Sequence, residues 1–562
     1  MSGAREDPRV GGRAALGAIA AFAFLACLRK VNDLDYWTHL AFGRAYARAG
    51  TLSIGDPFVL GRGAGAAPLD ASGLWHALTS SGEWPFQLGI HAVQRALGHE
   101  AVSVAMAACA ALAAALLAAP VLRPATPGRR AAVVTLAAAA FFVARFRFAP
   151  RPEVPAAVLL GGVLLLALEW GRNPRWRVLA GIALLLVAWR PLHPSWAIGM
   201  ALAGTALVAA PRLDFWRRQP LALRLGAAAA AALLALPAAR FALFVARELS
   251  GGVLVAVTEM RPTWEFPGIA IPFVALAGAA GALAWGRPEG RPARLALSAA
   301  ALLLGLVVVR NVGLAALALI PAAAAGAPPP TSARPRRAAH ALAAAALLAL
   351  GVLVARDRDC PFGVGVDWRV FPRDAAEFVK SAGLGAPVYN SWDWGGYLAW
   401  AWDGAPRTFL DGRLGDEQRM ADHDAIESGD PGPVVERYGF RTALVRSIWN
   451  NSGRLLPVVP WLLGNPEWRL VRATDGLVFA RAPLPAGMEP LPSRDAWRVV
   501  LREAELALEQ GELPPDAPFT RSIALLQLGA RREALEAFEQ GRRASPEVAS
   551  RYAALGAAVG AP

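Results

Sequence analysis

The feature that most constrains this chain is a series of apolar blocks, most of them too long and too poor in charge for one face of a soluble helix. Eleven can be drawn, at about 12–29, 100–122, 131–145, 154–170, 177–190, 194–210, 221–246, 268–286, 294–310, 312–327 and 337–355. A bilayer core takes roughly 17–25 residues of helix. Two of the blocks are short and fit as tilted or half-buried segments. Hydrophobic residues make up 55% of the 562, and the mean hydropathy is +0.37. The expectation is a polytopic α-helical membrane protein with about eleven spans. Leu25-Ala26-Cys27 faintly resembles a lipoprotein cleavage site, but ten further spans need an anchored start, so the first block is expected to be kept.

The net charge of +14 does not argue for nucleic acid, because most of the basic residues are arginines in short loops between the blocks. One set of loops holds Arg5, Arg9 and Arg13, then Arg123, Arg129 and Arg130, then Arg172, Arg175 and Arg177. The set continues with Arg212, Arg217, Arg218 and Arg224, then Arg287, Arg291 and Arg294, then Arg334, Arg336 and Arg337. These loops alternate with the others in strict order. The positive-inside rule makes them cytoplasmic, which puts the N-terminus inside and both the 31–98 stretch and everything after Arg356 outside. Arg over Lys with abundant Ala fits a GC-rich bacterial genome, and the expected location is the bacterial inner (cytoplasmic) membrane. Cys27 and Cys109 lie in apolar blocks and Cys360 stands alone, so there is no disulfide framework and no metal-binding cysteine spacing.

The 31–98 stretch is the long polar interruption, and it carries Asp33, Asp35, His39, Asp56, Asp70, His76 and Glu83. Its two ends are expected to be amphipathic helices: Leu34, Trp37, Leu40 and Ala41 share one face, as do Phe86, Ile90, Val93 and Leu97. The first of these helices is expected to lie along the membrane. The other outer turns offer Arg145, Arg147 and Arg151, then Arg190 and His193, then Glu259, Arg261 and Glu265, then Arg310-Asn311. Ionisable groups at span ends are costly unless they snorkel or serve a function. Guanidinium forks suit phosphate, so an anionic lipid headgroup is the natural ligand.

After Arg356 the composition changes to alternating helix and strand signals. A helix is expected near Asp374–Ser381 and another at Trp394–Trp402. Strands are expected at Pro387–Ser391, Arg407–Asp411, Arg441–Val445, Glu467–Ala473 and Gly476–Ala482. This predicts an extracytoplasmic α/β domain over 356–485, following a transmembrane domain over 1–355 that includes the outer loop 31–98. Asp393 and Tyr397 follow one expected strand, and Asp411 and Arg413 another, where open α/β sheets bind ligands. A packing role is favoured for them, with Gly395 and Gly396 admitting a close helix and Asp411 pairing with Arg413. From Ser493 the chain is helical. Leu528-Gly529, Ala534, Phe538, Gly541 and Pro546 follow the spacing of a tetratricopeptide repeat, giving a helical tetratricopeptide-like region over 493–562.

Carboxylates outside a many-span chain admit three functions. One is sugar transfer from a lipid phosphate, with an acid as base and arginines on the departing phosphate. The second is transport of an anionic lipid or glycan, which would show broken helices in paired repeats. The third is a non-catalytic scaffold acting through the C-terminal helices.

Asp33-x-Asp35-x-Trp37-x-His39-Leu40-x-x-Gly43, then Asp56-Pro57-Phe58, then Glu83-Trp84 resembles the first outer loop of membrane glycosyltransferases of the GT-C superfamily. The nearest resemblance is to uncharacterised bacterial members related to protein and lipid mannosyltransferases. Arg151-Pro152, Leu192-His193-Pro194, Arg310-Asn311, Gly395-Gly396-Tyr397-Leu398 and Asp411-Gly412-Arg413 match the same group in order, over about Asn32 to Ala482. The resemblance implies a polyprenyl-phosphate-linked sugar as donor and an extracytoplasmic glycan, lipid or protein as acceptor. It implies Asp33 and Asp35 as base or metal contact, with Glu83 similar to a second acid; the candidate substrate-binding residues are His39, Arg151, Arg190, His193, Glu259, Arg310 and Asn311. The chain departs from the pattern at Gly82, where a polar residue would precede Glu-Trp. Asp33, Asp35 and His39 are also the candidate ligands for Mg²⁺ or Mn²⁺.

Overall fold

The structure is a computed structural model that describes residues 8–63, 82–122, 127–210, 212–249, 258–285, 291–323, 333–357, 360–413, 417–509 and 514–560. Arg5, Asp70, His76, Arg123 and Arg287 lie outside the described residues. The chain divides into two compact units. One comprises residues 1–33 and 69–366, the other 34–68 and 367–562.

In the first unit every apolar block of the sequence contains a helix. Four are long and apolar enough to cross a membrane by length and composition: Trp84–Leu122, Glu153–Arg172, Leu221–Arg247 and Pro267–Trp285. Shorter apolar helices include Trp176–Trp189, Trp196–Val208 and Val309–Ala322. Val312–Ala322 is the centre of the unit. All of its residues are buried, and it packs on Pro127–Ala144, Arg291–Val307, Pro267–Trp285, Glu153–Arg172 and Trp84–Leu122. A helix apolar on every side belongs in such a core. Gly305 lets its helix close on Phe273, whose ring occupies the place a β-carbon would take. Trp84–Leu122 is interrupted at Gly98, with φ 85° and ψ 178°, which separates its polar first part from its apolar second part. Of the face expected on that first part, Phe86 and Ile90 are buried, while Leu97 is 72% exposed.

In the second unit four strands form one sheet in the order β1-β2-β4-β3, with β1 Val388–Asn390, β2 Thr442–Val445, β3 Trp468–Ala473 and β4 Leu477–Arg481. β1 runs parallel to β2, and the other pairs are antiparallel. The expected strand Arg407–Asp411 is absent. Instead Thr408 makes an isolated bridge to Val59, and the Asn390 side chain takes the Phe409 N–H at 2.8 Å and donates to the Leu410 carbonyl at 2.9 Å. Those backbone groups are satisfied by a side chain rather than a ladder.

The helix Asp35–Ala49 corrects a second expectation. Residues Tyr36 to Gly43 are all buried, so this is a core helix rather than one lying along a membrane. It packs on Gly395–Trp402. Gly396 sits against Thr38 and the Leu34 carbonyl. Trp37 is ringed by Trp400, Tyr397 and Phe371 at centroid distances of 4.6, 5.0 and 5.3 Å. Further along, Ala517–Gln527 and Arg531–Ala544 pack together, with Gly541 facing the Phe519 ring and Phe538 5.6 Å from it.

Candidate functional site

The turn Arg145–Arg147 ends one helix, and Pro150, Arg151 and Pro152 lead into the next, which starts at Glu153. Proline fixes φ and suits a helix start, and an acid in the first turn is favoured by the helix dipole. Residues 147–153 therefore deliver two guanidiniums, those of Arg147 and Arg151, and the Glu153 carboxylate to one end of the first unit.

Arg151 Nε donates to Asp33 at 2.5 Å, and its Nη1 donates to Glu259 at 3.0 and 3.3 Å. Arg147 reaches Glu153 at 2.5 Å and Glu259 at 2.7 Å. Arg310 donates to Glu153 at 3.1 Å and stands 4.0 Å from Glu259. His193 Nε2 lies 3.5 Å from Glu153 and 3.8 Å from Glu83. The result is a contiguous cluster of three arginines, one histidine and four acids, all in the first unit. Glu153 and Arg147 are buried, with 8% and 6% of their side chains exposed. Glu153 Oε2 and Arg147 Nε are buried without a hydrogen-bond partner.

The histidine's tautomer follows from its neighbours. Ser195 N–H donates to His193 Nδ1 at 3.1 Å, so Nδ1 is an acceptor and Nε2 carries the proton that faces the acids. For Glu259, burial raises the pKa, but Arg151, Arg147 and Arg310 outweigh it and hold the carboxyl down at about 2. Glu83 adopts φ 58°, a conformation unusual for a side-chain-bearing residue and one that costs energy to hold.

Other residues proposed from the sequence have different surroundings. Arg190 lies over the Trp196 ring at 5.5 Å. Asn311 donates to the Leu304 carbonyl at 3.1 Å, bracing the break between two helices. In the second unit His39 is buried in the core helix. Asp35 is the first residue of that helix, whose N-cap position is Leu34. The Asp35 carboxylate lies beside Gly412, where an added β-carbon would be 3.0 Å from Oδ1.

Asp393 accepts from Arg446 at 2.9 Å and from Asn450 at 2.6 Å. Tyr397 belongs to the ring around Trp37, and burial pushes its pKa up. Arg413 donates to Asp411 at 3.0 Å and to Asp56 at 2.8 Å. Burial opposes the Arg413 charge, but the two aspartates outweigh it and raise its pKa.

Among the described residues no group of three or more His, Cys, Asp or Glu is arranged to hold a metal ion. The acids of the cluster face guanidiniums, and no step is assigned to a metal. Glu153 is not among the candidates taken from the sequence, and Arg147 enters there only as an outer-turn charge. The available signal was the Arg-Pro-Glu run at the start of an apolar block.

The apolar helices define a helical membrane protein. No family model matches the chain, and no curated protein matches it. Among solved structures the chain is similar to an oligosaccharyltransferase from Archaeoglobus fulgidus, crystallised as a complex with Zn and sulfate. The identity is 12%, the match covers 93% of this chain and 83% of that one, and the TM-score is 0.46.

Proposed function

We propose that this chain is a membrane glycosyltransferase that moves a sugar from a polyprenyl-phosphate donor to an extracytoplasmic acceptor. The observation that carries the reading is the cluster of Arg147, Arg151 and Arg310 with Asp33, Glu83, Glu153 and Glu259 at one end of the helical unit. Guanidiniums held in place by buried acids are preorganised for the charge that develops on a departing phosphate. The sugar's anomeric carbon–oxygen bond breaks, the phosphate leaves with the electron pair, and the acceptor hydroxyl forms the new bond while losing its proton to a carboxylate. Asp35 is the proposed base, with Asp33 orienting through its pairing to Arg151. A positioned base contributes roughly 10²–10⁴-fold.

The test is transfer from a panel of polyprenyl-phosphate sugars by the purified full chain. Wild-type transfer, with a loss of at least about a hundredfold in Asp35→Asn at normal abundance, supports the reading. Near-normal turnover in Asp35→Asn moves the base to Asp33 or Glu83. No transfer from any donor, together with loss of phenotype on deleting Ser493–Pro562 but not in Asp35→Asn, overturns it in favour of a scaffold.

A further inference from the structure

At the end of the first unit away from the acid–arginine cluster there is a second constellation. The helix that begins at Glu153 ends at Arg172. Twenty residues of helix rise about 30 Å, the thickness of a bilayer core. At that far end four aromatic rings from three elements meet. Trp170 lies 5.0 Å from Phe215 and 5.9 Å from Trp216. Trp176 lies 5.6 Å from Phe215 and 5.5 Å from Trp216. Trp176 Nε1 also donates to Gln219 at 2.9 Å. The short helix Leu213–Arg217 is thereby pinned to the ends of two apolar helices.

Around these rings the charge is one-sided. Arg172, Arg175 and Arg177 are exposed on one loop, and Arg212, Arg217 and Arg218 on the other. From Arg172 to Arg224 the sequence contains a single acid, Asp214, which is exposed and 3.9 Å from Arg217. Exposed Val208, Leu213 and Leu221 lie within the same segment of chain. Tryptophans at the boundary of an apolar helix, with arginines and exposed aliphatic residues beside them, match the layering of a membrane–water interface. Nucleic acid would not take up the exposed leucines, and an acidic protein would not need the tryptophan belt.

We propose that this surface is a binding site for anionic phospholipid headgroups. The aromatic cluster holds the 212–219 segment flat at the interface, so that its arginines meet phosphates and its leucines enter the acyl boundary. Each cationic side chain near an anionic membrane surface adds attraction that salt screens. The site is independent of the glycosyltransferase reading, because it lies at the opposite end of the helix from Glu153.

The experiment reconstitutes the full chain in nanodiscs of mixed phosphatidylglycerol and phosphatidylcholine and measures which lipid is retained on mild extraction. Wild type is expected to retain phosphatidylglycerol severalfold over its share of the mixture, with the preference falling as salt is raised. The triple variant Arg212→Gln, Arg217→Gln, Arg218→Gln is expected to lose most of that preference. Arg532→Gln, Arg542→Gln, Arg543→Gln on the C-terminal helices is expected to keep it. Equal retention of both lipids by wild type, or a preference unchanged in the first triple variant, overturns the proposal. If that variant does not fold, the wild-type salt series decides alone, and a preference insensitive to salt also overturns it.

Discussion

Arg151 and Asp33 are 118 positions apart in sequence and joined by a 2.5 Å hydrogen bond. The link fastens the end of the first polar stretch to the turn that precedes Glu153. The Asp33 side chain is 7% exposed and that of Arg151 15%, so the pair is largely buried. Removing one partner of a buried pair is costlier than never having had it. Arg151→Met should destabilise the chain by about 3 kcal/mol. Arg151→Lys should recover part of this, because a single ammonium cannot serve Asp33 and Glu259 with a fork. Thermal unfolding in detergent measures both, and an unchanged midpoint in Arg151→Met would make the bond energetically idle.

Glu259 gives a pH signature. Its ordinary value of 4.5 is lowered to about 2 in the folded chain. A depressed carboxylate contributes stability above its unfolded pKa and loses it as the pH falls through the folded one. The contribution should be complete above about pH 4.5 and decline towards pH 2. Glu259→Gln, which cannot titrate, should therefore show a shallower loss of thermal midpoint over that window than wild type. Parallel curves would show that the three arginines do not hold the carboxylate in its charged form.

Some of this architecture is legible in the sequence, and the misses have physical causes. Long apolar blocks announce their helices, and β-branched and aromatic runs announce β1 to β4. Period alone cannot say what covers an apolar face. The stripe on Asp35–Ala49 meets protein rings around Trp37 rather than lipid. Nor does β-propensity reveal that Asn390 supplies the bonds of Phe409 and Leu410. The helices Gly432–Tyr438 and Val458–Gly464 are too brief for a clear period, and Glu417–Ser428, EQRMADHDAIES, is too polar to show one. Asp33, Arg151, His193, Glu259 and Arg310 stand out as charges at span ends. Glu153 is masked because it opens an apolar block and looks like a boundary residue.

The paired glycines of the second unit make a packing prediction. A β-carbon on Gly395 would overlap the Leu410 carbonyl and the Asp411 backbone, and backbone cannot swing aside. Gly395→Ala should cost about 2–3 kcal/mol or abolish folding, as overpacking against fixed atoms does. At Gly432, also in the second unit, an added β-carbon meets nothing within 4 Å, so Gly432→Ala should be neutral or slightly stabilising. Equal effects in a chemical-unfolding comparison would remove Gly395 as a close-approach position.

The last prediction concerns sidedness. The acid–arginine cluster lies at one end of the helix Glu153–Arg172 and the aromatic–arginine surface at the other. A helix of that length reaches across a bilayer core, so the two ends should face different compartments. Arginine-rich loops belong on the cytoplasmic side, which places Arg217 inside. Counting the apolar blocks in order puts Ser72 and Ser493 together on the outer side. In a background with Cys27, Cys109 and Cys360 replaced, single cysteines at Ser72 and Ser493 should react with an impermeant maleimide added to intact cells. A cysteine at Arg217 should react only after the membrane is opened. Labelling of Ser72 and Ser493 from opposite sides would separate the polar stretch from the C-terminal region. Labelling of Arg217 from outside would invert the chain and move the acid–arginine cluster away from extracytoplasmic acceptors.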